Sequence, residues 1–257
     1  MQIKDKYIYC IMDGIEKEEF GPIGIGGRRD LVHTIVYKDI AAVVSDSPFS
    51  EYSVSKENTL SHMRVLELIM KNNTVLPAKF STVAHARESQ STEETIRSKV
   101  LKIRYHELKG LLVQMANKVE LGVKAMWMDM ESVFSEIVEN NKEISILKRR
   151  LSIGNSTHSF THQVDLGKMV KSALEEKRRS KEKLILDTFG GEYFESRCNK
   201  TFGDAMITNS CYLVGKSRLD EFDKRVEKLV LDYKESIKFR YIGPVPPCNF
   251  VELVINL

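Results

Sequence analysis

Four groups of residues have types and spacings that could do chemistry. Gly24, Gly26 and Gly27 make a glycine-rich loop. Such a loop cradles a phosphate when a strand leads in and a helix leads out, because the helix N-terminus then meets the anion. Here the loop runs into Arg28-Arg29-Asp30 and a strand-like stretch, with neither G-x-G-x-x-G nor G-K-[ST] present. The glycines are therefore expected to supply positive φ in a turn. His158 and His162 stand four apart, a spacing that could share a metal on a helix, but Ser159 holds the place of the zincin glutamate. The whole Ser152–His162 stretch reads as a polar loop. Cys10, Cys198, Cys211 and Cys248 show no C-x-x-C spacing. Cys10 and Cys211 lie in apolar runs, where cysteine behaves as a small hydrophobe, and Cys248 follows two prolines and is expected at the surface. There is no G-x-S-x-G elbow, and His33, His62, His85 and His106 are scattered. The sequence alone neither builds nor dismisses a catalytic triad. Trp127 and the alternating Tyr7 and Tyr9 could stack on bases only beside a basic groove.

Charge argues against that last use. The 257 residues carry 39 Lys+Arg and 36 Asp+Glu, a formal net charge of +3, far from the bias of a dedicated nucleic-acid binder. Hydrophobic residues at 42% and charged residues at 29% fit folded globular domains, and the length fits two of them. The charged opening Met1-Gln2-Ile3-Lys4 has no signal-peptide core, and no apolar run is long enough to span a bilayer. A cytoplasmic protein with free thiols and no lipid-membrane partner is expected.

The elements that would position these residues emerge from periodicity. Tyr7–Met12 reads as a strand, and Leu31–Tyr37 with Ile40–Ser45 reads as a hairpin around Lys38-Asp39. Ser55 can cap a helix with Leu60, Met63, Leu66, Ile69 and Met70 on its apolar side. Val75–Phe80 comes next as a strand whose Pro77 suits a sheet edge. Ser91-x-x-Glu94 is a capping box opening a helix with Ile96, Val100, Ile103, Leu108, Leu111 and Met115 inward. The second half begins with the strand Val119–Trp127. Asp129 then caps one long helix to Leu151, and a helix at Asp165–Asp187 carries the charge run Glu175–Lys183. That run reads as a solvated face held by i,i+4 pairs, or as a docking surface for an acidic partner. Strands at Tyr193–Phe202 and Ala205–Val214, a helix after Ser217-x-x-Asp220, and strands at Ile237–Ile242 and Phe250–Ile255 complete the chain. The expected class is α+β. Two domains, residues 1–117 and 118–257, each have modified ferredoxin-like character, with antiparallel sheets and helices packed on one face.

Several stretches resemble the GvpF/GvpL family of gas-vesicle accessory proteins. Tyr7-Ile8-Tyr9-Cys10-Ile11 is similar to the family's first strand, and Gly24-Ile25-Gly26-Gly27 and Ile40–Ser45 match in order. Val75-Leu76-Pro77-Ala78-Lys79-Phe80-Ser81-Thr82 resembles the family segment VLPxRFGT, with Lys79 for the usual Arg and Ser81 for the usual Gly. Val119–Trp127 resembles VELxVKxxW. Gly243–Phe250 resembles GPWPPYNF, with Val245 and Cys248 in place of aromatics.

The resemblance implies two ferredoxin-like α+β domains and a non-enzymatic role in vesicle nucleation or growth. It also implies binding to the hydrophobic shell protein and to other accessory proteins, and a place at the gas vesicle, where some members are found. It implies no catalytic residue, cofactor or metal. A shell subunit apolar enough to face gas needs guarding before assembly, and a binder could do so with an apolar patch or by adding a strand to its own sheet edge. Val75, Leu76, Pro77, Lys79 and Phe80 are the candidate partner-binding residues. A small-molecule-binding or regulatory module, with a pocket of converging polar groups, is the alternative, and an enzyme with an unrecognised site a third. Oligomeric state is left open.

Overall fold

The computed structural model describes residues 5–85, 90–153, 159–251 and 253–255. The chain is α+β and divides into two compact units, Met1–Glu120 with Gly243–Leu257, and Leu121–Ile242.

In the first unit the strands β1 (Asp5–Asp13), β2 (Glu19–Gly21), β3 (Val32–Tyr37), β4 (Ile40–Ser47) and β5 (Val75–Pro77) lie in the order β2-β3-β4-β1-β5. The short β6 (Val83–Ala84) pairs with β1. The hairpin forms as the sequence indicated, with Tyr37 opposite Ile40 and Lys38 at φ 54 in the turn. Helix α1 (Lys56–Met70) starts where Ser55 accepts a bond from Asn58 N at 3.1 Å. It packs Val65, Leu66 and Ile69 on Tyr7, Tyr9, Cys10, Met12, Ala41 and Val43. Ile8, Ile11, Ile35, Ala42 and Val44, outside that cluster, are also buried, a register shift between Ile8 and Cys10 changing the alternation along β1. They lie beneath α2 (Thr92–Thr95), the π-helical turn Ile96–Lys102 and α3 (Tyr105–Met115). Helices thus cover both faces of this sheet, where one covered face was expected. The reason is the composition of β1, whose Tyr7–Met12 are all 0% exposed, so either face left bare would expose core.

In the second unit β7 (Lys118–Trp127), β8 (Glu195–Cys198), β9 (Met206–Gly215) and β10 (Ile237–Val245) stand in the order β10-β7-β9-β8. With helices after β7 and after β9, this is the β-α-β-β-α-β plan of a ferredoxin-like unit. Leu121, Val123, Ala125 and Trp127 face the helical core at period 2, as strand alternation requires.

The expected long helix is two: α4 (Met130–Asn140), capped by Asp129, and α5 (Lys142–Ile153). The break falls at Asn141, whose side-chain oxygen accepts from Glu143 N and Ile144 N and so starts a new helix. Helix α6 (Ser159–Thr188) begins earlier than expected, so His162 is helical, while His158 lies outside the described residues. Helix α7 (Leu219–Asp232) buries Phe222, Val226 and Leu229.

Two further expectations change. Tyr193–Phe202 keeps only β8 as strand, and Phe250–Ile255 contributes one parallel bridge, Leu253 to Ala78. The second domain was also expected to run to residue 257, yet Gly243–Leu257 belongs to the first unit. The buried Glu120 carboxylate holds it there, accepting from Asn249 N at 2.7 Å and Asn249 Nδ2 at 2.5 Å. Arg104 adds a bond to the Val254 carbonyl at 2.7 Å.

Candidate functional site

The segment Val75–Phe80 leaves β5 at the end of the sheet and turns back sharply. Ala78 N donates to the Tyr9 carbonyl at 2.9 Å, and Thr82 Oγ1 donates to the Lys79 carbonyl at 2.6 Å. Ser81 sits at φ 66, the left-handed region that favours glycine. Two contacts hold it there: Ser81 N donates to Tyr7 Oη at 3.1 Å, and Ser81 Oγ accepts from Tyr52 N at 2.7 Å.

Beside this turn lies a cavity of about 500 Å³ in the first unit. Its wall is Val54, Thr59, His62 and Met63 from α1 and the loop leading to it, Pro77–Phe80 from the turn, and Cys248, Val251, Leu253 and Val254 from the returning segment. Val54 is 85% exposed and Val254 48%, so the apolar surface continues out of the cavity.

His62 forms the floor. Its Nδ1 lies 2.9 Å from Tyr7 Oη, its ring stacks on Tyr9, and Phe80 meets it edge-on. Burial holds its pKa down at about 4, so it is a neutral ring at neutral pH. Burial also lifts the Tyr9 hydroxyl to about 12 and, with the nearby Glu120 carboxylate, the Cys248 thiol to about 12. The cavity is therefore apolar and uncharged inside. Lys79 stands exposed at its edge with no ion-pair partner among the described residues.

The five candidate residues separate into two sets. Val75 and Leu76 are 2% and 0% exposed and belong to the core beneath the site. Pro77, Lys79 and Phe80 line the cavity. The edge of β5 is only three residues long, and Leu253 already bridges to Ala78 beside it. Val54, Met63 and Val251 escaped sequence reasoning because they lie far apart in the chain. Only the closing resemblance around Gly243–Phe250 hinted that this segment matters.

The other candidates have structural partners. Gly26 and Gly27 take φ +84 and +74, and Ile25 N donates to Tyr9 Oη at 2.8 Å, so the glycine loop is folded onto the core. The loop leads into β3 and not a helix, so it presents no helix N-terminus to a phosphate. His33 pairs with Glu93 and His85 with Asp5. Cys10 and Cys211 are buried, while Cys198 and Cys248 are exposed. Among the described residues no three His, Cys, Asp or Glu side chains gather as a metal-holding group. No helix among them is long and apolar enough to cross a membrane.

A family model described as gas vesicle synthesis protein GvpL/GvpF matches residues 5–252. The chain belongs to that family. It is similar to gas vesicle protein F of Dolichospermum flosaquae, 22% identical over 96% of this chain and 97% of that one. It is also similar to gas vesicle protein F1 of Halobacterium salinarum, 25% identical over 97% and 94%. In fold it is similar to the crystal structure of GvpF from Anabaena sp. PCC7120, with a TM-score of 0.81 at 22% identity over 97% of this chain and 99% of that one. Membership gives the chain an accessory role in gas vesicle formation.

Proposed function

We propose that this protein acts without catalysis as an assembly factor at the gas vesicle in the cytoplasm. In this reading it shields an apolar segment of the hydrophobic shell protein in the cavity beside β5. The observation that carries the reading is an apolar, uncharged cavity of about 500 Å³ that opens onto the exposed Val54 and Val254. Exposed apolar surface of this kind is characteristic of protein-binding sites. Side-chain insertion is favoured over strand addition, because the β5 edge is short and Leu253 already lies along it. Lys79 at the rim would orient the partner by pairing with an acidic group, and other accessory proteins would bind elsewhere.

The test is co-expression of the full chain with the shell protein, followed by size-exclusion chromatography. Co-elution with a soluble shell protein is expected, and Val54→Asp, at an exposed position that costs the fold little, should abolish it. No co-elution with assembly-competent shell protein, or unchanged co-elution of the variant, would refute the proposal.

A second reading has one observation in its favour: the cavity volume also lies in the small-ligand range. An apolar fluorescent dye displaced by the shell protein would favour the first reading. A dye that stays bound in its presence would favour the second.

A further inference from the structure

Part of the charge run Glu175–Lys183 is occupied internally. Lys177 pairs with Glu136, Arg178 donates to the Asp204 carbonyl at 3.1 Å, Glu182 accepts from Thr208 at 2.8 Å, and Lys181 lies over the Tyr233 ring. Arg179 and Lys183 of the run have no ion-pair partner among the described residues, and further unpaired cations lie on α5 and the first half of α6.

Helix α5 turns Ile144, Leu147 and Leu151 inward. Ile146, Arg149 and Arg150 recur at i, i+3 and i+4 on its outer side, with Ile146 52% exposed. On α6, Leu166, Met169 and Val170 pack on the core. Phe160, Val164 and Lys171 share the opposite stripe, with Phe160 79% and Val164 41% exposed. Across 142–153 and 159–171 there are six Lys or Arg and two Asp or Glu, so this pair of helices carries a net charge of +4, more than the whole chain's +3. Arg149, Arg150 and Lys171 have no ion-pair partner among the described residues.

We infer that the outer faces of α5 and α6 form a second docking surface, separate from the cavity in the first unit, for an acidic amphipathic helix of a partner protein. Apolar side chains alternating with unpaired cations at helical spacing match a helix with Leu or Ile on one side and Glu or Asp flanking them. Aliphatic Ile146 and Val164 bind such a side, and the single aromatic Phe160 makes no platform for successive nucleobases. The cations steer the encounter, and Phe160 and Ile146 are the anchors that give it lifetime.

The probe is a 20-residue helical Leu/Glu peptide with its apolar residues at a and d, titrated into the full chain and followed by fluorescence anisotropy. A scrambled peptide of the same composition is the control. The structure predicts saturable binding that weakens with salt and exceeds that of the scrambled peptide. Arg149→Glu/Arg150→Glu should weaken it by roughly tenfold or more, since reversing interface charges turns attraction into repulsion. Phe160→Ser should weaken it with the salt dependence retained. Both variants should keep the wild-type circular dichroism and melting temperature, because the altered side chains are exposed. Val54→Asp should leave peptide binding unchanged, which separates this surface from the cavity. Equal binding of the two peptides, or no effect of the charge reversals, would overturn the inference. So would preferential binding of duplex DNA or of phosphatidylglycerol vesicles through the same arginines.

Discussion

At the scale of single residues, His62 is the clearest titrating element. Unfolded, its imidazole takes a proton near pH 6.5; folded, it does so only near 4. The folded state therefore keeps its full advantage above pH 6.5 and loses it as the pH falls towards 4. The slope is about 1.4 kcal/mol per pH unit and the total about 3 kcal/mol. Urea melts of the wild type and of His62→Phe across pH 7.5 to 4 should show that slope in the first only. Ser81 is the second test. At φ 66 a β-branched side chain is strained, and Ser81→Val also removes the acceptor for Tyr52 N. A loss of about 2–4 kcal/mol is expected in the same melts. The thiols should titrate unequally with a disulfide reagent at pH 8. Cys198 should react first, Cys248 slowly because its thiolate is disfavoured, and Cys10 only after denaturation, with four thiols in all. Sequence patterns were least informative at this scale. They placed Leu60 and Ile103 in the core, but these are 45% and 76% exposed, while His62 and Leu101 are buried. A histidine enters an apolar interior only when a partner satisfies it, and Tyr7 is far away in sequence.

At the scale of elements, local signals were legible wherever one side chain fixed one boundary. Ser55, Ser91 and Asp129 each cap a helix, and each accepts the backbone bond its type implies. Errors arose where the helical period changed. The π-helical turn Ile96–Lys102 shifts the phase of α3, so the buried position there is Leu112 and not Leu111. Asn141 is the other missed signal, a cap in the middle of an otherwise continuous apolar pattern. Asn141→Ala should cost about 1 kcal/mol and loosen the first turn of α5, seen as faster amide exchange at Glu143 and Ile144. A third of the cavity wall was legible because it lies on one motif, Pro77–Phe80. The rest, from α1, the loop before it and the returning segment, depends on tertiary contacts that no local pattern records.

At the scale of the whole molecule, the two-unit plan was readable from the repeated strand-and-helix order, and the return of Gly243–Leu257 to the first unit was not. That return depends on the Glu120–Asn249 bonds, the Leu253–Ala78 bridge and the burial of Val251 and Leu253. Glu120→Ala removes the carboxylate to which Asn249 donates, with an expected loss of about 2–3 kcal/mol. Hydrogen exchange should rise across residues 249–255 and at Ala78, with α4 to α7 unchanged. Equal protection in wild type and variant would show that apolar burial alone holds the segment.

The same return sets an order of events during synthesis. A growing chain presents β1 to β5 and their helices to the cell while Leu121–Ile242 is still being made, an interval on the order of ten seconds. Throughout it the cavity has only the wall built by α1 and the turn, because Cys248, Val251 and Leu253 have not left the ribosome. The nascent protein thus offers its widest apolar surface before it is finished. Translation of the segment from Gly243 onward then narrows that surface to its mature form, so the timing of synthesis determines when a half-built site is exposed.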